Sequence, residues 1–201
     1  MCAATGGMER ESMTGTLGFA ILGTGMIAEY HAAAVRANAD LGARLVCVAH
    51  HDPARFDELG ARFEVPCMSY DRLLANAAVD IVTLCTPSGQ HASQVIAAAR
   101  AGKHVLVEKP MAVTLAGADA AIAACAQAGV KLGVCFQSRT RSLFQNIRQA
   151  IDAGDLGDLT LGLVTLPYYR PMAYYDQAAW RGTWALDGGG VLMNQGIHQL
   201  D

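Results

Sequence analysis

The sequence predicts an α/β fold built on a doubly wound parallel sheet, and three observations predict it. Short β-branched runs alternate with longer stretches of helical period from Leu17 to Phe136, the order that wraps a parallel sheet in helices. The first apolar run, Phe19-Ala20-Ile21-Leu22, ends in Gly23-Thr24-Gly25 and passes directly into an alanine-rich helical pattern at Met26. Several helical stretches stop at a glycine, as at Gly102 and Gly129, where a left-handed cap costs little.

Taken in order, strands are expected over residues 17–22, 44–49, 80–84, 104–108 and 132–136. The spacing predicts helices over 26–38, 53–63, 70–76, 91–101 and 114–128, the second of them begun by Pro53, whose fixed φ suits a first helical turn. Past Gln137 the composition changes. Residues 139–153 read as a helix stopped at Gly154, and the alternation over 158–167 predicts the start of a strand. A domain boundary is therefore expected near Gln137, with one unit over 16–137 and the beginning of a second over 138–201. Residues 1–15 have no apolar core segment and read as a disordered leader rather than a signal peptide.

The composition narrows the function classes. A net charge of −3 with scattered Lys and Arg offers no footprint for nucleic acid or an anionic membrane, and no apolar run approaches the length of a spanning helix. The six cysteines, Cys2, Cys47, Cys67, Cys85, Cys125 and Cys135, form no CxxC pair and no metal spacing, and most fall in apolar runs. They read as small core residues of a cytoplasmic protein, with no metal expected.

The glycine turn carries the first chemical signal. Gly23 permits a tight turn, Gly25 lets backbone approach a pyrophosphate, and Ala28 keeps helix and strand close, which is the dinucleotide fingerprint of the Rossmann fold. The phosphates would meet the free amides of Met26 and Ile27 at the positive end of the first helix. Where a carboxylate normally accepts the ribose hydroxyls of NAD, at the tip of the second strand, stands His50. Asp52 lies two residues on, placed either to take that role or to cap the helix at Pro53. With His50, His51 and Arg55 adjacent, NAD and NADP both stay open, NAD being favoured. The loop Thr86-Pro87-Ser88-Gly89-Gln90 lies at the carboxyl edge of the sheet, where ligands bind, and ends at His91, which either lines the crevice or starts a helix structurally. Glu108-Lys109-Pro110 reaches the same edge; the lysine is either a surface residue or a group able to hydrogen-bond a substrate hydroxyl.

Gly23 to Ala28, Thr86-Pro87 and Glu108-Lys109-Pro110, in this order and spacing, resemble the glucose-fructose oxidoreductase and inositol dehydrogenase (Gfo/Idh/MocA) family. The resemblance runs on through Tyr174-Tyr175-Asp176, Trp180-Arg181-Gly182-Thr183-Trp184 and the segment from Asp187 to Asp201, and within the family it is most similar to dehydrogenases of nucleotide-activated amino sugars. It implies an NAD(P)-dependent oxidoreductase moving hydride between nicotinamide and a secondary hydroxyl of a sugar, cyclitol or nucleotide sugar, or reducing a keto-sugar. A non-catalytic nucleotide-binding fragment is the rival reading. The second domain would carry a large open antiparallel sheet and the contacts of a homo-oligomer. Because the chain stops at Asp201, most of that sheet would be absent.

The resemblance also implies that Lys109 and His198 flank the reacting carbinol, with His198 as general base and Lys109 orienting the hydroxyl. Many family members have aspartate where this chain has Asn194, and an amide cannot take the proton, so Asn194 is expected to position the sugar. If residues 191–200 form one helix, Asn194 and His198 share a face. Tyr168, Tyr169, Tyr174, Tyr175, Trp180 and Trp184 precede that segment. They are placed to stack on a sugar, chiefly Tyr175 and Trp180 with Arg181 on a phosphate or carboxylate, or to pack in a core.

Overall fold

A computed structural model describes residues 15–201. The leader expected over 1–15 lies almost wholly outside the described residues, as does Cys2. Six parallel strands form one sheet in the order β3-β2-β1-β4-β5-β6: β1 Leu17–Leu22, β2 Ala43–Ala49, β3 Cys67–Met68, β4 Ile81–Leu84, β5 His104–Val107 and β6 Leu132–Val134. The order reverses between β1 and β4, so the carboxyl ends of these two strands open a crevice. The five predicted strands are present: β1 with the expected bounds, β2 one residue longer, and β4, β5 and β6 trimmed. β3 was not predicted, because two residues are too short to show a period.

Helices cover both faces. Along β1, Ile21 points toward α1 Met26–Ala37 and α2 Phe56–Phe63, packing with Ala28, Ala32, Val35, Leu59 and Phe63. Its neighbours Ala20 and Leu22 point the other way, into the layer formed with α3 Tyr70–Leu74, α4 His91–Arg100 and α5 Leu115–Ala128. Fully burying a side chain the size of Ile21 or Phe63 contributes about 1.5–3 kcal/mol. The two layers together therefore account for the small, strongly apolar character of the strands. Asp52 caps the turn at Pro53, accepting from the Ala54 amide at 3.0 Å. The described cysteines are all free thiols, and burial pushes that of Cys47 up to about 11.

Beyond β6 the chain forms α6 Ser142–Asp152, α7 Met172–Asp176, α8 Val191–Asn194 and α9 Ile197–Leu200. Two expectations are corrected here. Residues 158–167 are not a strand and no antiparallel sheet occurs among the described residues, since an extended segment becomes a strand only when a partner completes its ladder. Residues 191–200 are not one helix. The Gly196 amide bonds back to the Val191 carbonyl at 2.7 Å, an i to i−5 closure that separates α8 from α9. Among the described residues, no helix is long and apolar enough to cross a membrane.

Candidate active site

The glycine turn is shaped for a phosphate. Gly23 has φ of +91°, and a Cβ there would lie 2.7 Å from the Cys85 carbonyl, so only glycine fits between β1 and β4. Gly25 precedes α1, whose first turn has no side-chain cap, and a Cβ on Gly25 would meet nothing within 4 Å. The amides of Met26 and Ile27 thus begin a helix at an open approach, the donor set that suits a pyrophosphate. Arg62 of α2 donates to the Thr24 carbonyl at 3.3 Å and pairs with Glu29 of α1, tying the turn to the helices beneath it. At the tip of β2, His50 Nδ1 lies 3.1 Å from the Asp52 amide and 3.4 Å from the Asp52 carbonyl, so the ring is held against the start of the following turn. Asp52 takes the capping role through Oδ1, and His50 stands at the strand tip beside it.

The loop after β4 is fixed from beneath by His91. This ring is buried, with Nδ1 2.7 Å from the Pro110 carbonyl and Nε2 2.9 Å from that of Thr86. It lies between the Thr86-Pro87 and Lys109-Pro110 loops with both ring nitrogens against main-chain carbonyls, which favours the structural of its two expected roles. Burial lowers its pKa, with the two carbonyls opposing. On the far side of the loop, the Gly89 amide donates to the Leu186 carbonyl at 2.9 Å. A Cβ on Gly89 would stand 2.0 Å from the Ala185 oxygen, so the loop and the 185–186 segment touch main chain to main chain.

Glu108 leaves β5 toward α1 and accepts from His31 Nε2 at 2.9 Å and from the Lys109 amide at 3.2 Å. Burial by itself would raise its carboxyl, but His31 and the Lys109 amide and charge hold it below the ordinary value. A donor atom of Cys135 lies within 4.8 Å of those of His31 and Glu108. This is a donor set for a soft cation on paper. However, the imidazole and the carboxylate are spent on each other, and burial with the Glu108 charge pushes the Cys135 thiol to about 12, leaving it protonated.

Lys109 points the other way, its peptide to Pro110 being cis. Its Nζ donates to the Asn194 carbonyl at 2.6 Å and to Asn194 Oδ1 at 3.1 Å. Burial lowers the Lys109 pKa, with Glu108 and Asp187 pulling upward. The other end of the Asn194 amide donates to Asp187 Oδ1 at 2.9 Å, and Asp187 Oδ2 accepts from the Gly182 amide at 2.8 Å. Asn194 therefore spends its amide largely inside the protein, keeping one carbonyl lone pair for a ligand. His198 lies edge-on to Phe136, with 6.2 Å between ring centroids. Its buried Nδ1 has no partner, and burial together with the Lys109 charge lowers its pKa.

The aromatic segment divides. Tyr174 packs edge-on to Tyr175 at 5.2 Å between centroids, and the Arg181 guanidinium lies 4.1 Å over the Tyr174 ring and 5.1 Å from that of Trp180. Arg170 covers Tyr168 and Tyr174. Trp184 and Tyr169 are exposed and outside this stack. Arg181 Nε is the second buried polar atom without a partner. Sequence reasoning missed His31 and Asp187. His31 acts across 77 positions, while Asp187 acts over five and seven, with its place before the glycine run as its one local signal.

Residues 17–136 match the family model described as the oxidoreductase family with NAD-binding Rossmann fold, and residues 144–201 match that of the GFO/IDH/MocA C-terminal domain. The WlbA dehydrogenase from Bordetella pertussis, solved in complex with NADH and UDP-GlcNAcA, is similar with a TM-score of 0.87 and 35% identity, covering 92% of this chain and 55% of that one. Inositol 2-dehydrogenase from Rhizobium meliloti (strain 1021) is 32% identical over 188 residues, 92% of this chain and 53% of that protein. A scyllo-inositol 2-dehydrogenase (NADP(+)) from Bacillus subtilis (strain 168) is 34% identical over 134 residues, covering 65% of this chain and 36% of that protein. The chain thus spans about half the length of the first two relatives. With the nucleotide turn, the Glu108-Lys109-Pro110 loop and both consecutive family models in one chain, the protein belongs to the GFO/IDH/MocA oxidoreductase family with an NAD-binding Rossmann fold.

Proposed function

We propose that this chain carries the cofactor domain and the catalytic segment of an NAD(P)-dependent dehydrogenase that oxidises a secondary hydroxyl of a sugar, cyclitol or nucleotide sugar. The observation that carries the reading is the meeting of Lys109 with Asn194 at the carboxyl edge of the sheet, beside a His198 whose Nδ1 is buried and unpartnered. Residues 16–137 form the cofactor unit and 138–201 the beginning of the substrate unit. Gly23, Gly25, Met26 and Ile27 receive the pyrophosphate, His50 faces the adenosine ribose, and Thr86, Pro87, Glu108 and Lys109 border the nicotinamide.

The nicotinamide, when bound, supplies the hydride acceptor. Neutral His198 takes the hydroxyl proton, and Lys109 donates a hydrogen bond to the same oxygen as negative charge grows on it. Asn194 holds the lysine in place and offers its remaining lone pair to a neighbouring hydroxyl. Trp180 and Tyr175 stack against the sugar, and the unpartnered Arg181 donor meets an anionic group such as the carboxylate of a uronic acid. The exposed apolar stripe of α6, Leu143, Phe144, Ile147 and Ile151, supports assembly into a homo-oligomer. A small-molecule substrate, a cytoplasmic location and no nucleic-acid partner complete the proposal.

Nicotinamide fluorescence on titration with NADH and NADPH tests the first half, and cofactor reduction with UDP-GlcNAcA or inositol tests the second. Saturable binding with turnover of either substrate supports the proposal. Binding without turnover of any secondary alcohol would reduce the protein to a nucleotide-binding module. No binding by a chain that is folded by circular dichroism would remove the glycine turn as the cofactor site.

A further inference from the structure

Asp187 is a buried carboxylate, 3% exposed, and among the described residues no cation touches it. A buried charge of this kind is costly unless its field is used by a nearby positive group. Both its oxygens are occupied by donors, the Gly182 amide and the Asn194 side chain. A carboxylate can only accept, so it dictates which way the Asn194 amide turns: nitrogen toward Asp187, oxygen toward Lys109. The line therefore runs Asp187 Oδ1, Asn194 Nδ2 at 2.9 Å, then Asn194 Oδ1 to Lys109 Nζ at 3.1 Å. We propose that Asp187 is the positioning residue for Lys109, acting through Asn194: it locks the amide so that an oxygen faces the ammonium and places a negative charge one hydrogen bond behind it. In effect the carboxylate that many relatives are expected to carry at the Asn194 position stands one link further out.

The proposal rests on the role given to Lys109, but its test reads the lysine itself rather than turnover. The chain contains only Lys103, Lys109 and Lys131, so lysine labelled with carbon-13 at Cε gives three resolvable titrations, assigned by Lys109→Met. The charged groups facing Lys109 are Glu108, Asp187, His91 and His198. Asp187→Asn keeps the shape but offers one oxygen to two donors, so the Asn194 amide turns and presents nitrogen to Lys109. The Lys109 midpoint is then expected to fall by about one pH unit, a tenfold loss of proton affinity, while Lys103 and Lys131 stay put. The exchange Asp187→Asn with Asn194→Asp restores every hydrogen bond and brings the carboxylate into direct contact, so the midpoint should rise above that of the wild type.

An unmoved Lys109 in a folded Asp187→Asn protein would overturn the proposal, since a merely structural role changes stability and not this titration. If that variant does not fold, the exchange decides: a midpoint at or below the wild-type value, or failure of the exchanged protein to fold, overturns it.

Discussion

Lys109 Nζ lies 2.6 Å from the main-chain carbonyl of Asn194, which joins the tip of β5 to a residue 85 positions away. The bond uses main chain, so replacing the Asn194 side chain leaves it intact, whereas replacing Lys109 removes it. Lys109→Met should lower turnover by about a hundredfold or more, the usual scale for a group acting on a transferring proton. NADH affinity should change little. Single-turnover kinetics with a fluorescence titration measures both, and loss of cofactor binding with turnover of the bound complex intact would limit the lysine to holding the nicotinamide.

The His198 imidazole is pushed below its ordinary value of 6.5, first by burial and then by the Lys109 charge, with Glu108 and Asp201 pulling upward. A base must be neutral to act, so oxidation should rise with pH through a midpoint under 6.5 and then level. Lys109→Met removes a positive neighbour and should shift that midpoint upward in whatever activity survives. His198→Ala should abolish the rise along with most turnover, which a pH profile of kcat would show.

His91 makes stability depend on pH. Burial holds its folded pKa below the ordinary 6.5, so the unfolded chain binds the proton more tightly. Its contribution is complete above 6.5 and is lost as pH falls from there toward the folded value. Urea unfolding at pH 5 and pH 7.5 should therefore show a slope that flattens in His91→Gln. His91→Ala should cost about 1–3 kcal/mol at pH 7.5, because the buried carbonyl served by the neutral ring's one N–H loses its donor, and less at pH 5.

Under the proposed function, His50 at the tip of β2 faces the adenosine ribose and bears on cofactor choice. A carboxylate in its place would accept the ribose hydroxyls and repel a 2'-phosphate, so His50→Asp should raise the ratio of NADH to NADPH affinity about tenfold or more. Parallel titrations with the two cofactors check it, and an unchanged ratio assigns the choice elsewhere.

The first half of the fold was legible because its signals are local. A glycine turn between an apolar run and a helical period specifies β1 and α1 within a few residues, and β2, β4, β5 and β6 show as short apolar runs, whereas the two-residue β3 does not. The second half was not. Residues 158–167 alternate as a strand does, but ladder formation depends on a partner the window cannot contain. The break at Gly196 depends on a hydrogen bond to Val191, which periodicity ignores. In the candidate site, Lys109, Asn194 and His198 were named from motifs, and the structure brings Lys109 against Asn194. Asp187 and His31 were not, because a buried carboxylate and a helix histidine acquire meaning only from what folding brings beside them.

The contact between the Gly89 amide and the Leu186 carbonyl involves no side chain that could be tuned. Either flank can drift in sequence without disturbing the seam, provided position 89 never acquires a Cβ. Of the contacts between the two portions, this one asks only for compatible main-chain geometry, whereas those of Lys109 with Asn194 and of Phe136 with His198 tie the portions through side chains. Sequence drift on either side of that seam is thus limited by the missing Cβ at position 89 and not by the side chains around it.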